Sequence, residues 1–328
     1  MGELLFDFER FHELDEEHVR LQTRKWRLFL TSVIFTILFG LGAIFFATAA
    51  NIQAQHSYDS LLEKANELYA TDAKAAALLY GNAIRLSPGN PNAYQDLLTQ
   101  IKSDNVLTAD EKSQIKWVLD GSDGAGTTNE HVLKEQNPTA YAQIAYDVGV
   151  IYYFGSQGDN GKPSAVRYLN DAANSSSLDP QKRELAARLS KIASNYELFL
   201  NGGVSEGGAS SVIGNDSFTP RQFWDELVAM SDGDLVVITG NTFVAISVYG
   251  EVIYQISNHA DIFVRGGVTL TEMQTQLDKI AAGLKTITPR DDEEQEFVNE
   301  AIKQIQRARE VAATAAGNVL TPAGGEKQ

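Results

Sequence analysis

Cysteine is absent from all 328 residues, which excludes thiolate nucleophiles, zinc–thiolate sites, iron–sulfur clusters and disulfides together. Of the remaining residue types, four groups have a spacing that bears on chemistry. Gly203-Val204-Ser205-Glu206-Gly207 has the pattern of a nucleophile elbow. Such an elbow needs a buried strand before it and a helix after it to lift the serine oxygen clear. Here it lies among five glycines and three serines in the sixteen residues 201–216, so an extracytoplasmic hydrolase is kept only as a second alternative. Gly155 to Lys162 approaches a phosphate-cradling loop, but it is one residue too long, and Pro163 stands where a magnesium-binding hydroxyl belongs. It reads as an inter-helix turn. Asp120-Gly121-Ser122-Asp123-Gly124 opens like a calcium loop, lacks the glycine of the sharp turn and ends at His131 instead of a bidentate glutamate. The histidines at 12, 18, 56, 131 and 259 form no His-Glu-x-x-His pair, since Glu16 takes the second place, and they read as structural or solvated. No catalytic residue, metal or cofactor is expected.

Charge sets the next limit. The chain has 27 basic and 43 acidic residues, a net charge of −16. Binding nucleic acid requires a basic face to neutralise phosphates, so this balance argues against broad nucleic-acid binding and no nucleic-acid partner is expected. The run Leu28 to Ala50 has 23 residues without a charge. As a helix it is roughly 35 Å long, enough to cross a hydrocarbon layer of about 30 Å. Ala47-Thr48-Ala49 has the form of a signal-peptidase site, but the 27 residues before the run include seven acids, and the run is too long for a signal peptide. An uncleaved transmembrane helix over 28–50 is expected. Arg20, Arg24, Lys25 and Arg27 precede it with Trp26 at the interface, and no Lys or Arg occurs between Asn51 and Glu63. Positive residues stay inside, so residues 1–27 form a cytoplasmic juxtamembrane segment and the C-terminal part is extracytoplasmic. Residues 1–27 are net −2, which leaves −14 for the outer part and favours a basic partner there.

Beyond the span, hydrophobic periodicity predicts an all-α region. One apolar stripe holds Leu61, Leu62, Ala65, Leu68 and Tyr69. A second holds Ala76, Leu79, Tyr80, Ala83, Ile84 and Leu86 and ends at Pro88-Gly89. Ala93, Tyr94, Leu97, Leu98 and Ile101 follow, and then Thr108-x-x-Glu111 opens a helix with Ile115, Trp117, Val118 and Leu119. Tyr146, Val148, Gly149, Tyr152 and Tyr153 are followed by Ala165, Leu169 and Ala172. Asp179-Pro180 starts a helix whose Leu185, Leu189, Ile192, Tyr196 and Phe199 keep 4,3 spacing. The small–large alternation resembles tetratricopeptide and Sel1-like repeats, whose helix pairs approach closely at small residues. Aromatic residues on such helices have two readings: Tyr69, Tyr80, Tyr152 and Tyr153 are expected mostly in the core through which repeats stack, while the resemblance implies a repeat domain over 56–200 with first helices lining a concave face, and so Asn66, Tyr69, Tyr146 and Tyr153 as partner contacts.

The glycine–serine segment 201–216 reads as a flexible linker. A C-terminal helical region over 217–320 follows, with a disordered tail at 321–328. Thr219-Pro220-Arg221-Gln222 caps a helix with Phe223, Trp224 and Leu227. Residues 235–249 fit either a hairpin around Gly240-Asn241 or a helix from Thr242. The long spacing Ile246, Tyr249, Ile253, Ile256, Ala260, Phe263 favours the helix. Thr269-x-x-Glu272 caps a helix with Met273, Leu277, Ile280 and Leu284 inward. Thr288-Pro289 is expected to open the last, with Asp291, Asp292, Glu293 and Glu294 in its first turn and Val298, Ile302, Ile305 and Ala308 inward.

The order of parts, from the acidic segment Glu3 to Glu17 through a basic stretch, one span and repeats, resembles the rear half of membrane-anchored serine/threonine kinases of clostridial Gram-positive bacteria. The tract Tyr141 to Gly149 with Tyr152-Tyr153 is similar to their outer repeats, as is Val248 to Val252 leading to Gly266-Gly267-Val268-Thr269. The kinase motifs themselves are missing: no glycine-rich loop with a lysine strand precedes the span, and Asp7-Phe8-Glu9 has glutamate where the metal-binding motif needs glycine. The resemblance therefore implies the sensory half of a kinase system and not phosphoryl transfer. The expected protein is not an enzyme. It is a single-pass membrane-anchored binding protein whose repeats recognise a protein, peptide or envelope component, with the lipid bilayer, and a second copy or a kinase, as further partners. Ala43-x-x-x-Ala47 suits helix pairing. The alternative is a structural scaffold of a cell-envelope complex.

Overall fold

The computed structural model describes residues 52–102, 109–121, 127–154, 162–200 and 218–320. The span expected over 28–50, its flank from Arg20 to Arg27, the linker at 201–216, the tail and Ser205 lie outside them, as do most of the loops at 120–124 and 155–162. Among the described residues no helix is long and apolar enough to cross a membrane. The chain divides into two units, 1–60 and 61–328. Of the first, residues 52–60 are helical.

The second unit is all-helical, with no strand among its described residues. It opens with helical residues 61–69 (α1), followed by α2 (Ala73–Leu86), α3 (Asn92–Ile101), α4 (Ala109–Asp120), α5 (Asn129–Gln136) and α6 (Pro138–Phe154). Then come α7 (Lys162–Ala173), α8 (Pro180–Leu200), α9 (Pro220–Met230), α10 (Leu235–Thr239), α11 (Thr242–Arg265), α12 (Leu270–Thr286) and α13 (Asp292–Leu320). Residues 235–249 are helical throughout except at Gly240 and Asn241. Gly240 takes φ +66° as the C-cap of α10, and the Asn241 side chain accepts from Val244 N to start α11. The turn residues that suggested a hairpin thus act as a left-handed cap and an N-cap.

Helix α6 is central. Eleven of its seventeen residues are buried, the pattern of a helix covered on every side, and it packs against α3, α5, α7, α8 and α11. Its Gly149 permits the close approach of α7: a Cβ there would lie 2.8 Å from two side-chain carbons of Leu169. Ala165, Leu169 and Ala172 are fully buried opposite it.

On the other side of 201–216, α9 and α11 share an aromatic core with α8. Phe199 stacks on Phe223 with ring centroids 3.9 Å apart, and Phe263 and His259 pack against Phe199. The Tyr153 O–H donates to Glu251 Oε1 at 3.2 Å, tying α6 to α11. Helix α13 lies along α11 and α12 through Glu294, Val298, Ala301, Ile305, Ala308, Ala312 and Ala315, all buried at strict 4,3 spacing. The alanines keep its axis close to its neighbours.

The helix starts follow capping chemistry. Thr219–Gln222 and Thr269–Glu272 both form complete capping boxes, and Asp179 Oδ1 accepts from Gln181 N and Lys182 N at the head of α8. The expected start at Thr288-Pro289 is corrected: α13 begins at Asp292, because Asp291 Oδ1 accepts from Glu294 N and serves as the cap, with Pro289 outside. Two stripe positions are also corrected. Leu86, the last residue of α2, is 49% exposed, and Ile302 is 37% exposed because Ala301 takes the inward position. Leu61, Leu62, Leu68 and Leu79 are half-buried.

Candidate binding groove

Helix α8 presents Gln181, Glu184, Leu185 and Arg188 along one face, the i, i+3, i+4, i+7 set that shares a stripe. Opposite stand Ala229 and Met230 at the end of α9, then Asp232 and Gly233 in the turn, then Leu235 and Ile238 of α10. Gly233 makes this turn at φ +93°, and Asp234 caps α10 by accepting from Val237 N. Between the two walls lies an open groove of about 380 Å³. At its base lie Leu185, Met230 and Leu235, each only 2–3% exposed, with Ile238 half-buried, and its rim is formed by Gln181, Glu184, Arg188 and Asp232.

The rim charges are unequally engaged. Arg188 donates to Glu226 Oε2 at 2.8 Å and to Glu184 Oε1 at 2.6 Å, so both its terminal nitrogens are held by the protein's own carboxylates. Burial opposes its charge, but the hydrogen bonds to Glu184 and Glu226 outweigh that and raise its pKa. Lys191 also pairs with Glu226. Glu184 and Asp232 remain largely in water, with side chains 64% and 54% exposed. Asp232 forms an ion pair with Lys279 at 3.4 Å.

A second hollow of about 350 Å³ lies where α9 and α12 begin, lined by Arg221, Trp224, Asp225 and Glu272 among others. Arg221 binds Asp225 and Glu272 there, while Glu272 closes its own capping box, so these groups hold the two helix starts together. The capping bonds from Thr269, with a smaller contribution from Arg221, lower the Glu272 pKa.

The residues expected to meet a partner are distributed differently. Asn66 is exposed, but its amide is engaged: Oδ1 accepts from the Tyr80 O–H at 2.5 Å, and Nδ2 donates to Asp96 Oδ2 at 3.1 Å. The Tyr69 O–H donates to Glu111 at 3.4 Å. Tyr146 and Tyr153 are buried, 2% and 3% exposed, and present no ring surface. The four do not converge, and none lines the groove.

Sequence reasoning also missed a polar cluster at the junction of α5, α6 and α7. The Tyr141 hydroxyl lies 2.7 Å from Glu130 Oε1 and 2.5 Å from Asp171 Oδ2, with Arg167 on Glu130 and Lys134 on Asp171. Burial first, and then the two carboxylates, push the Tyr141 pKa far above the ordinary phenol range. Its two acids and two bases balance, which marks it as a neutral tie between three helices. The i, i+4 pairs Glu130/Lys134 and Arg167/Asp171 were visible in the sequence, but only the packing sets Tyr141 between them. Among the described residues no group of histidines and carboxylates is arranged to hold a metal. Compared with protein-family models, with curated proteins and with solved structures, the chain matches none.

Proposed function

We infer that this chain is a single-pass membrane-anchored binding protein whose outer helical region captures a protein or peptide. The observation that carries this reading is the open groove between α8 and the α9–α10 turn. It is a polar-rimmed opening with exposed Glu184 and Asp232 over a largely covered apolar base, with room for a side chain of a peptide to enter. The close α6–α7 contact at Gly149 and Leu169 supports the tetratricopeptide-like reading, because such repeats pair their helices at small residues. The charge-free run 28–50 and its basic flank support the anchor, with the groove outside the cell. Within a kinase system the anchor would couple capture outside to association inside, through a difference in affinity between two arrangements of the chain.

Two measurements test the reading on the full chain in intact cells. A photo-crosslinking residue is placed at Gln181 in the groove and, for comparison, at Glu300 on the exposed face of α13. A defined product is expected from Gln181 and not from Glu300. Separately, Ser205→Cys should react with an impermeant thiol label without lysis. Labelling only after lysis would overturn the outward-facing arrangement, and equal crosslinking from both positions would overturn specific capture.

A further inference from the structure

We draw no further inference here: the strongest candidate, the cluster of His259, Tyr196 and Phe199 at the bend of α11, carries no switch, because the Tyr196 hydroxyl, 3.4 Å from His259 Nε2, can donate to a neutral ring and accept from a charged one.

Discussion

At the scale of single residues, Gly149 and the buried tyrosines are the sensitive points. Adding one methyl at Gly149 forces it against Leu169, whose own backbone nitrogen is 3.1 Å from the new carbon and has little freedom to move. Gly149→Ala should cost about 1–3 kcal/mol by overpacking. Adding Leu169→Ala should recover part of that loss, a coupling that a double-mutant cycle in urea measures. If the two losses simply add, the contact does not matter. Tyr80 gives a pH signature. Burial, helped by Asp96, pushes its phenol up to about 12, whereas the unfolded chain titrates near 10. The folded state thus keeps a proton that the unfolded state releases. This contribution is whole below pH ~10 and is lost as pH rises toward about 12. Tyr80→Phe should flatten the fall of stability over that interval by up to one proton, and an unchanged slope would refute the assignment.

At the scale of elements, capping and helix–helix contact carry the argument. The Thr219 and Thr269 hydroxyls each accept from the first turn of their helix. Thr269→Ala should lower stability by about 0.5–2 kcal/mol, read from the denaturation midpoint. The α13 seam is more demanding, since Ala308 and Ala312 are fully buried against α11 and α12. Ala308→Leu should destabilise by about 1–3 kcal/mol, while Ile302→Ala, on the half-exposed side, should cost well under that. The opposite order would show that the heptad has been misassigned. The sequence did reveal most of these elements. The capping boxes at Thr219 and Thr269 formed as read, and the α11 stripe from Ile246 to Phe263 is buried at every named position. The errors share a cause. Periodicity shows which residues share a face, but not where a neighbour stops covering it, so Leu86 at a helix end and Ile302 beside Ala301 were placed too deep.

At the scale of the whole second unit, α8 connects what lies on either side of 201–216. Phe199 touches Phe223, Phe263 and His259 at once, and Arg188 with Lys191 ties α8 to Glu226 of α9. Phe199→Ala should cost about 3–5 kcal/mol. It should also split one cooperative unfolding transition into two, seen as calorimetric and van't Hoff enthalpies that no longer agree. A single, merely shifted transition would show that the two sides are coupled elsewhere.

The sequence by itself determined the helical character, most helix boundaries, the charge balance and the absence of cysteine chemistry, because each depends on composition or on neighbours within a few positions. It also marked 28–50 as the expected span through an unbroken lack of charge. Only the tertiary structure decided between the core and partner-contact readings of Tyr153, that Tyr146 is core, that Tyr141 sits between Glu130 and Asp171, and that a groove opens between α8 and α10. Those facts depend on side chains from helices separated by some thirty to a hundred residues. A local pattern holds no record of which distant face will cover it, or which it will leave open to water.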